Sequence, residues 1–549
     1  MYYKILITSM KTKQTLLRSF TLIAKYKGTI IATILLSLLI TMSGIISSYT
    51  LRFLVDEVLI KKRLDWIWKI QGIFLAAVLT ECFFSVLNAR LFANLATKGS
   101  KTLRLNMFSA LINADYLEAK KLQSGKIINA FIGGVQGVAS SLSNGIPAAL
   151  SAIITIVLTV TVMFLIDARL TLVSLFVYPF LIMVNAILNR KLGNHFSNNQ
   201  QNRKNISGDI EQSIKCTDNI RTFHLFPFVT KEFTGHIDRY HKTNIAIAVL
   251  YALMNKTTWA FIMVPYQAIL YGIGGTWFIK NGSPSIGTLM IFANFTNYLI
   301  CPVMSLVNIN QSIADAQAGF AEVDSVLQIP QQNRNENAAC ENDAHYAEVK
   351  NYVFKYDKNS KAILQNFSET FPQNKTTVLW GPSGSGKSTL LKIITELISG
   401  AHVESGKLFL SNEAVTYFPQ NPVLFNKTLR ENFQLVNPNI SETKIIELLK
   451  RAGLEPIMKK RPDILDEPIT NAENAFSGGE HRRLCLVVSL SADTPVLLLD
   501  EPTASLDQES VECIAEIIRT EKAKGKTLII ATHDELLKTC ADKVCLFEA

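Results

Sequence analysis

Six long apolar runs, at about 28–55, 66–95, 137–166, 168–193, 246–279 and 285–310, constrain this chain more than any other feature. Each supplies the roughly 20 apolar residues that a helix needs to cross a bilayer. Backbone polar groups in hydrocarbon find no water, so these runs must satisfy their hydrogen bonds internally, as helices packed on one another. The amino-terminal part is therefore expected to be an all-α bundle of six transmembrane helices over residues 28–328, with the lipid bilayer as its solvent. The 549 residues, 48% of them hydrophobic, are too many for one ordinary domain, and the carboxy-terminal part carries no such runs.

An even number of crossings leaves both chain ends on one side, and the basic residues choose the side. Lys98, Lys101, Arg104, Lys120, Lys121 and Lys126 follow the second run, and Arg190, Lys191, Arg203, Lys204, Lys215, Arg221 and Lys231 follow the fourth. The positive-inside rule makes those connections cytoplasmic. The expectation is a multi-pass cell-membrane protein with both termini in the cytoplasm. Lys61, Lys62 and Arg63 fall on the outer side and run against the rule, beside Asp56, Glu57 and Asp65. Topology thus accounts for the net charge of +10, and with no basic stripe interleaved with aromatics, nucleic acid is not expected as a partner. Residues 1–27 read as a basic amphipathic lead-in along the cytoplasmic face, with Lys11, Lys13, Arg18, Lys25 and Lys27 among Phe20, Leu22 and Ile23. No small-residue cleavage site follows, which argues against a removed signal peptide.

The outer connections are short, whereas the inner ones run for roughly 40 to 50 residues with a helical apolar period, so the spans are expected to continue as helices beyond the bilayer. Their tips, around Asp115 to Gly125 and Asp218 to Phe223, are either transverse helices that dock on the carboxy-terminal part or plain connecting turns. Polar residues within the runs are few: Glu81, Asn88, Arg90, Asn185, Asn294 and Asn297. Glu81 is a candidate for a substrate role, or it faces a neighbouring helix or the headgroups. Met263, Pro265 and Tyr266, with Trp259 and Phe261, either line a cavity for a greasy substrate or simply pack.

Residues 329–346 turn polar and read as a linker, and from 347 to 549 strands and helices alternate as in an α/β domain. There the apolar strand Thr377 to Trp380 runs into Gly381, Pro382, Ser383, Gly384, Ser385, Gly386, Lys387, Ser388 and Thr389, and a helical run follows. Strand, glycine-rich turn and helix in that order make a phosphate-binding P-loop. The glycines let successive N–H groups face one phosphate at a helix N-terminus, Lys387 adds a point charge, and the Ser388 hydroxyl can ligate Mg²⁺. A second buried-strand pattern, Val496 to Leu499, ends in Asp500 and Glu501, suited to the Mg²⁺ shell and to polarising a water. His533 ends a third strand, Thr527 to Ala531, where it can sense the γ-phosphate. Tyr356 either stacks on adenine or is core. The expected cofactors are ATP and Mg²⁺; scattered cysteines and histidines, without CxxC or HExxH spacing, point to reduced thiols and no structural transition metal.

With Tyr417-Phe-Pro-Gln-Asn421 and Phe476-Ser-Gly-Gly-Glu480 between the P-loop and the acids, the chain resembles an exporter-type half-transporter of the ATP-binding cassette superfamily, over essentially residues 15 to 549. The resemblance implies a six-helix membrane domain fused to a P-loop domain, with ATP hydrolysis driving outward movement of a peptide, lipid or amphipathic small molecule. It makes Tyr356 the A-loop aromatic, Gln420 the Q-loop glutamine and a further Mg²⁺ ligand, Glu501 the catalytic base and His533 the switch histidine. It makes Ser477, Gly478 and Gly479 the signature that closes over ATP bound to a second chain, and Ser505 to Asp507 the D-loop. A homodimer is favoured and a heterodimer remains open.

The departures are FSGGE for the usual LSGGQ, a short stretch between Thr389 and Gln420, an end soon after the last strand, and Thr470 to Asn474 without the usual glycine-glutamate pair. No cysteine-protease domain reads ahead of the first run, so leader cleavage is not expected. An ATP-gated channel or regulatory ATPase is the alternative function, and import a third.

Overall fold

The computed structural model describes residues 18, 21, 26–122, 124–257, 263–332, 338–339, 344–356, 360–398, 403–469, 476–504 and 506–547. They form two compact units, Met1–Ala110 with Ser124–Gln328, and Leu111–Gln123 with Ile329–Ala549.

The first unit is helical throughout. Helix α1 spans Lys27–Phe53 and α2 spans Ile67–Ile112. The short α3, Tyr116–Lys121, belongs to the second unit. There follow α4 (Ser124–Asn129), α5 (Val135–Ser140), α6 (Ile146–Ile166), α7 (Ala168–Leu175), α8 (Val177–Lys215), α9 (Thr217–Thr222), α10 (Phe226–Lys256), α11 (Val264–Asn281) and α12 (Ile286–Leu327). At 46 residues α2 is about 70 Å long, more than twice a bilayer core, so the spans do run on as helices. Five described stretches are long and apolar enough to cross a membrane: Lys27–Leu59, Leu64–Ile112, Pro147–Ile166, Ala168–Lys215 and Ile286–Leu327. The run expected over 246–279 is divided between α10 and α11 by residues 258–262, outside the described ones, as are Trp259 and Phe261.

Backbones approach closely where side chains are absent. A Cβ on Gly319 of α12 would lie 2.5 Å from the Gly134 carbonyl oxygen, and one on Gly137 of α5 would lie 2.9 Å from that of Asp315. Small residues at helix contacts give the van der Waals fit that holds helices together in lipid. Met263 and Tyr266 are buried in a cluster with Met163, Leu170, Phe292 and Phe295. The Tyr266 hydroxyl is spent on Ser174 Oγ (2.9 Å) and Thr296 Oγ1 (2.7 Å), so both residues pack within this cluster. Glu81 is half-buried, and the buried Asn185 donates from Nδ2 to the Leu181 carbonyl.

The second unit holds two sheets. One has the order β1-β5-β2-β3, from Ala338–Ala339 (β1), His345–Phe354 (β2), Leu364–Pro372 (β3) and Val403–Leu410 (β5); β2 starts inside the stretch read as linker. The other has the order β6-β7-β8-β4-β9, all parallel, from Thr376–Trp380 (β4), Val415–Phe418 (β6), Val496–Asp500 (β7), Thr527–Thr532 (β8) and Lys543–Leu546 (β9). Strands β7 and β8 are buried at every residue, as central parallel strands covered on both faces must be. The covering helices are α13 (Lys387–Ile394), α14 (Leu429–Val436), α15 (Glu442–Arg451), α16 (Glu455–Lys460), α17 (Gly478–Leu490), α18 (Gln508–Ala523) and α19 (Glu535–Lys538).

Leu111–Gln123 is part of this unit because it bonds and packs there. The Asp115 N–H donates to the Pro330 carbonyl (2.8 Å), the Gln332 N–H donates to that of Asn113 (2.9 Å), and Leu117 is buried among Tyr346, Val349 and Leu390. Asp115 caps α3 by accepting from the N–H groups of Leu117 and Glu118.

Candidate active site

Strand register gathers the site at one edge of the parallel sheet. Asp500 pairs with Ala531 and Trp380 with Thr532, so the P-loop after β4, the acids after β7 and His533 after β8 all emerge at neighbouring carboxyl ends. Ligands of open α/β sheets bind at that edge.

The loop after β4 has the backbone its sequence demands. Gly384 and Gly386 take φ of +86° and +99°, and Gly386 caps α13. A Cβ on Gly381 would lie 2.4 Å from the Phe547 carbonyl oxygen. Pro382, Ser383 and Gly384 are exposed, while the Ser385 hydroxyl is buried with no partner among the described residues. Lys387 is buried and its Nζ donates to the carbonyls of Gly381 (2.8 Å) and Pro382 (2.9 Å), 3.8 Å from Glu501 Oε1.

Next to the loop, Ser388 Oγ donates to Asp500 Oδ1 at 2.7 Å, and the Tyr417 hydroxyl donates to Asp500 Oδ2 at 3.1 Å. Asp500 is fully buried; burial, with Asp500 adding to it, pushes the Tyr417 phenol up from its ordinary value. A hydroxyl and a carboxylate in contact beside a helix N-terminus are the hard oxygen donors Mg²⁺ takes, and the unpartnered Ser385 hydroxyl suits a phosphate oxygen; the residues fit both groups.

Glu501 sits at φ +49°, a left-handed conformation uncommon outside glycine. Its N–H donates to the Ala531 carbonyl (2.8 Å), and Arg482 of α17 donates to its carbonyl and to that of Pro502 (3.1 Å). Burial lowers the Arg482 pKa against the pull of Glu501 and Asp500. These bonds hold the strained turn, and the Glu501 carboxylate then meets His533 Nδ1 at 2.8 Å.

Other expected site residues are placed less simply. The Tyr356 hydroxyl bonds Thr389 Oγ1 at 2.8 Å and its ring edge meets Phe354, so it stands beside the P-loop helix. Gln420 is exposed two residues beyond β6 and makes no hydrogen bond to Ser388 or Asp500 among the described residues. Ser477 caps α17 in a reciprocal box: its N–H donates to the Glu480 carboxylate (2.8 Å), and its hydroxyl accepts from the Glu480 N–H (3.4 Å). The unusual glutamate of FSGGE therefore closes a capping box, leaving Ser477 and Gly478 exposed at a helix start. Ser505 and Thr470 to Asn474 lie outside the described residues; Asp507 caps α18.

Tyr417 and Arg482 were not singled out by the sequence reasoning. Tyr417 had only its place at the head of the Tyr417 to Asn421 stretch as a signal, and Arg482 had none, since an arginine on a helix is ordinarily a solvated charge.

Fold and site together define a membrane protein with a P-loop ATPase built into the same chain. Residues 30–303 match the ABC transporter transmembrane region, and residues 364–504 match the ABC transporter family. The chain belongs to the ATP-binding cassette transporters, of the exporter type that fuses membrane and ATP-hydrolysing parts. It is 22% identical over 533 residues to an uncharacterized ABC transporter ATP-binding protein, YfiC, of Bacillus subtilis (95% of this chain, 88% of that one). It is 24% identical over 541 residues to the alpha-hemolysin translocation ATP-binding protein HlyB of Escherichia coli (96% and 75%). A third relative, the ATP-dependent lipid A-core flippase of Syntrophus aciditrophicus, is 25% identical over 433 residues (75% and 70%).

Proposed function

We propose that two copies of this chain work as an ATP-driven exporter or flippase, moving a peptide, lipid or amphipathic small molecule out of the cytoplasm or between leaflets. The observation that carries this reading is the single cluster of Lys387, Ser388, Asp500, Glu501 and His533, a complete hydrolytic set in a chain that also has membrane-length helices. Relatives whose names specify a protein toxin and a lipid support outward movement of amphipathic cargo rather than one particular cargo.

Ser388 and Asp500 would hold Mg²⁺, with Gln420 as the further ligand, and the ion would neutralise phosphate charge. Lys387 supplies positive charge from the loop, and Tyr356 the aromatic face for adenine. Glu501 takes the proton of the attacking water, and His533 fixes the carboxylate that does so. Ser477, Gly478 and Gly479 are the partner's contribution: Ser477 and Gly478 are exposed and Gly479 half-buried at the start of α17, and none makes a hydrogen bond to its own P-loop among the described residues, which supports closure over ATP on a second chain. The basic inner connections support cytoplasmic termini.

Reconstituted protein in vesicles with outward-facing ATPase parts should hydrolyse ATP and accumulate cargo from a panel of peptides, lipids and dyes. Glu501→Gln should bind ATP, turn over about 10²–10⁴-fold more slowly and collect as a closed dimer on sizing. Hydrolysis without movement of any cargo would favour a gated channel, and unchanged hydrolysis by Glu501→Gln would remove that residue from the mechanism.

A further inference from the structure

Arg482 carries a charge that the hydrolytic set does not use. It lies half-buried on α17, the helix that Ser477 and Gly478 open, and among the described residues it forms no ion pair. Its guanidinium is spent on main-chain oxygens instead: Nε donates to the Pro502 carbonyl at 3.1 Å, and Nη2 donates to the Glu501 carbonyl. The same group stands 5.9 Å over the ring of Phe418, the last residue of β6 and two before Gln420. The helix behind it is firmly seated, because Leu484, Cys485, Leu486, Val487 and Val488 are all buried in the core of the unit.

A planar fork of donors reaches two successive carbonyls where the chain turns, and Glu501, at φ +49°, makes that turn. A residue with a Cβ is disfavoured in this left-handed conformation, so the turn needs restraint from outside. Glu501 has backbone bonds of its own, from its N–H to the Ala531 carbonyl (2.8 Å) and from the Ala504 N–H to its carbonyl (3.2 Å). The Pro502 carbonyl has Arg482 as its one partner among the described residues. At the other end of the side chain, Oε2 meets His533 Nδ1 at 2.8 Å and Oε1 lies 3.8 Å from Lys387 Nζ. His533 is exposed and Lys387 is spent on P-loop carbonyls, so neither anchors the turn from that end.

We propose that Arg482 is a positioning residue for hydrolysis: from the buried helix α17 it holds the Glu501–Pro502 turn, and so aims the Glu501 carboxylate. It acts through Glu501 alone. This deepens the proposed function and rests on Glu501 as the base.

The full chain in lipid nanodiscs, with saturating Mg²⁺, is assayed for kcat and KM of ATP hydrolysis. Arg482→Met keeps the length of the side chain and removes both donors; Arg482→Lys keeps the charge and removes the fork. A carboxylate misplaced by about 1 Å costs on the order of 10²-fold, so Arg482→Met should lower kcat by about 10–100-fold while KM for ATP stays within about twofold. Arg482→Lys, which reaches one carbonyl at a time, should fall between Arg482→Met and the unaltered chain. In the Glu501→Gln background, where there is no base left to aim, Arg482→Met should change the residual rate by less than about twofold. An unchanged kcat in Arg482→Met, full activity in Arg482→Lys, loss of ATP binding in both variants, or an equal drop in both backgrounds would each overturn the proposal, the last two showing a purely structural role. If Glu501→Gln alone hydrolyses at the unaltered rate, the reading of Glu501 as the base fails; if it slows hydrolysis and Arg482→Met does not, only the role of Arg482 is removed.

Discussion

The two tips of the long helical excursions have similar lengths and opposite fates. At the first, α3 is capped by Asp115, tied to residues 330 and 332 by backbone hydrogen bonds, and anchored by Leu117, which is 7% exposed. At the second, no residue of α9 is buried, and Phe223 and Phe226 stand 66% and 71% exposed beside a cleft of about 340 Å³ lined by Cys216, Ile220 and Phe228. Burying a phenylalanine is worth roughly 1.5–3 kcal/mol, so exposed aromatic side chains at the end of α9 and the start of α10 are unusual for a surface facing water. The first, closed tip packs within its own unit, and the second, here called the open tip, carries exposed aromatic side chains.

The largest expected effect comes from the open tip. Ile220→Ser with Phe223→Ser should leave nucleotide binding nearly unchanged and abolish cargo movement in vesicles while hydrolysis continues; normal transport would break the comparison. Elsewhere in the ATP-binding part, Glu521 of α18 is buried, and although burial pulls its pKa up, Lys524, Lys526 and Arg451 hold it down at about 2. Glu521→Gln removes the buried carboxylate from Arg451 and Lys524 and leaves Lys526 only Asp493, and should lower the stability of the ATP-binding part by about 3–5 kcal/mol in a denaturant titration. Because its folded pKa is depressed, the Glu521 contribution is complete above the usual carboxylate pKa, about 4.5, and is lost as pH falls from there toward 2. A melting temperature insensitive to pH across that window in wild type would contradict this. Leu117→Ala should cost about 2–4 kcal/mol by the same titration, through lost burial and the cavity left behind. Phe223→Ser, in contrast, should shift stability by no more than about 0.5 kcal/mol, as a surface change does.

The grouping of the candidate site residues was legible in the sequence because it depends on local order. Strand, glycines and Lys387 must be contiguous, and Asp500 and Glu501 must end a buried strand, so register alone brings them together. Contacts across the chain were not legible in the same way. That Tyr417 meets Asp500, and Arg482 the Glu501 carbonyl, depends on which strand and helix become neighbours. Ser477 and Glu480 lie in between: the S-x-x-E spacing of a capping box was present, but it overlaps a binding motif, and the glutamate read as a departure from that motif. In the membrane unit, apolar period fixed helix positions but not the π-helical turns at Ala130–Gly134 and Ser141–Gly145.

The most direct test of the open tip asks which chain covers it. In a background with Cys216→Ser, one tagged chain carries Thr222→Cys and a differently tagged chain carries Asn421→Cys, next to Gln420, and the two are expressed together and oxidised in membranes. The account predicts a disulfide-linked pair bearing both tags, increased when ATP is trapped by Glu501→Gln. If the mixed pair never forms, while both substitutions placed in one chain join within that chain, the second tip serves its own ATP-binding part and the central claim is wrong.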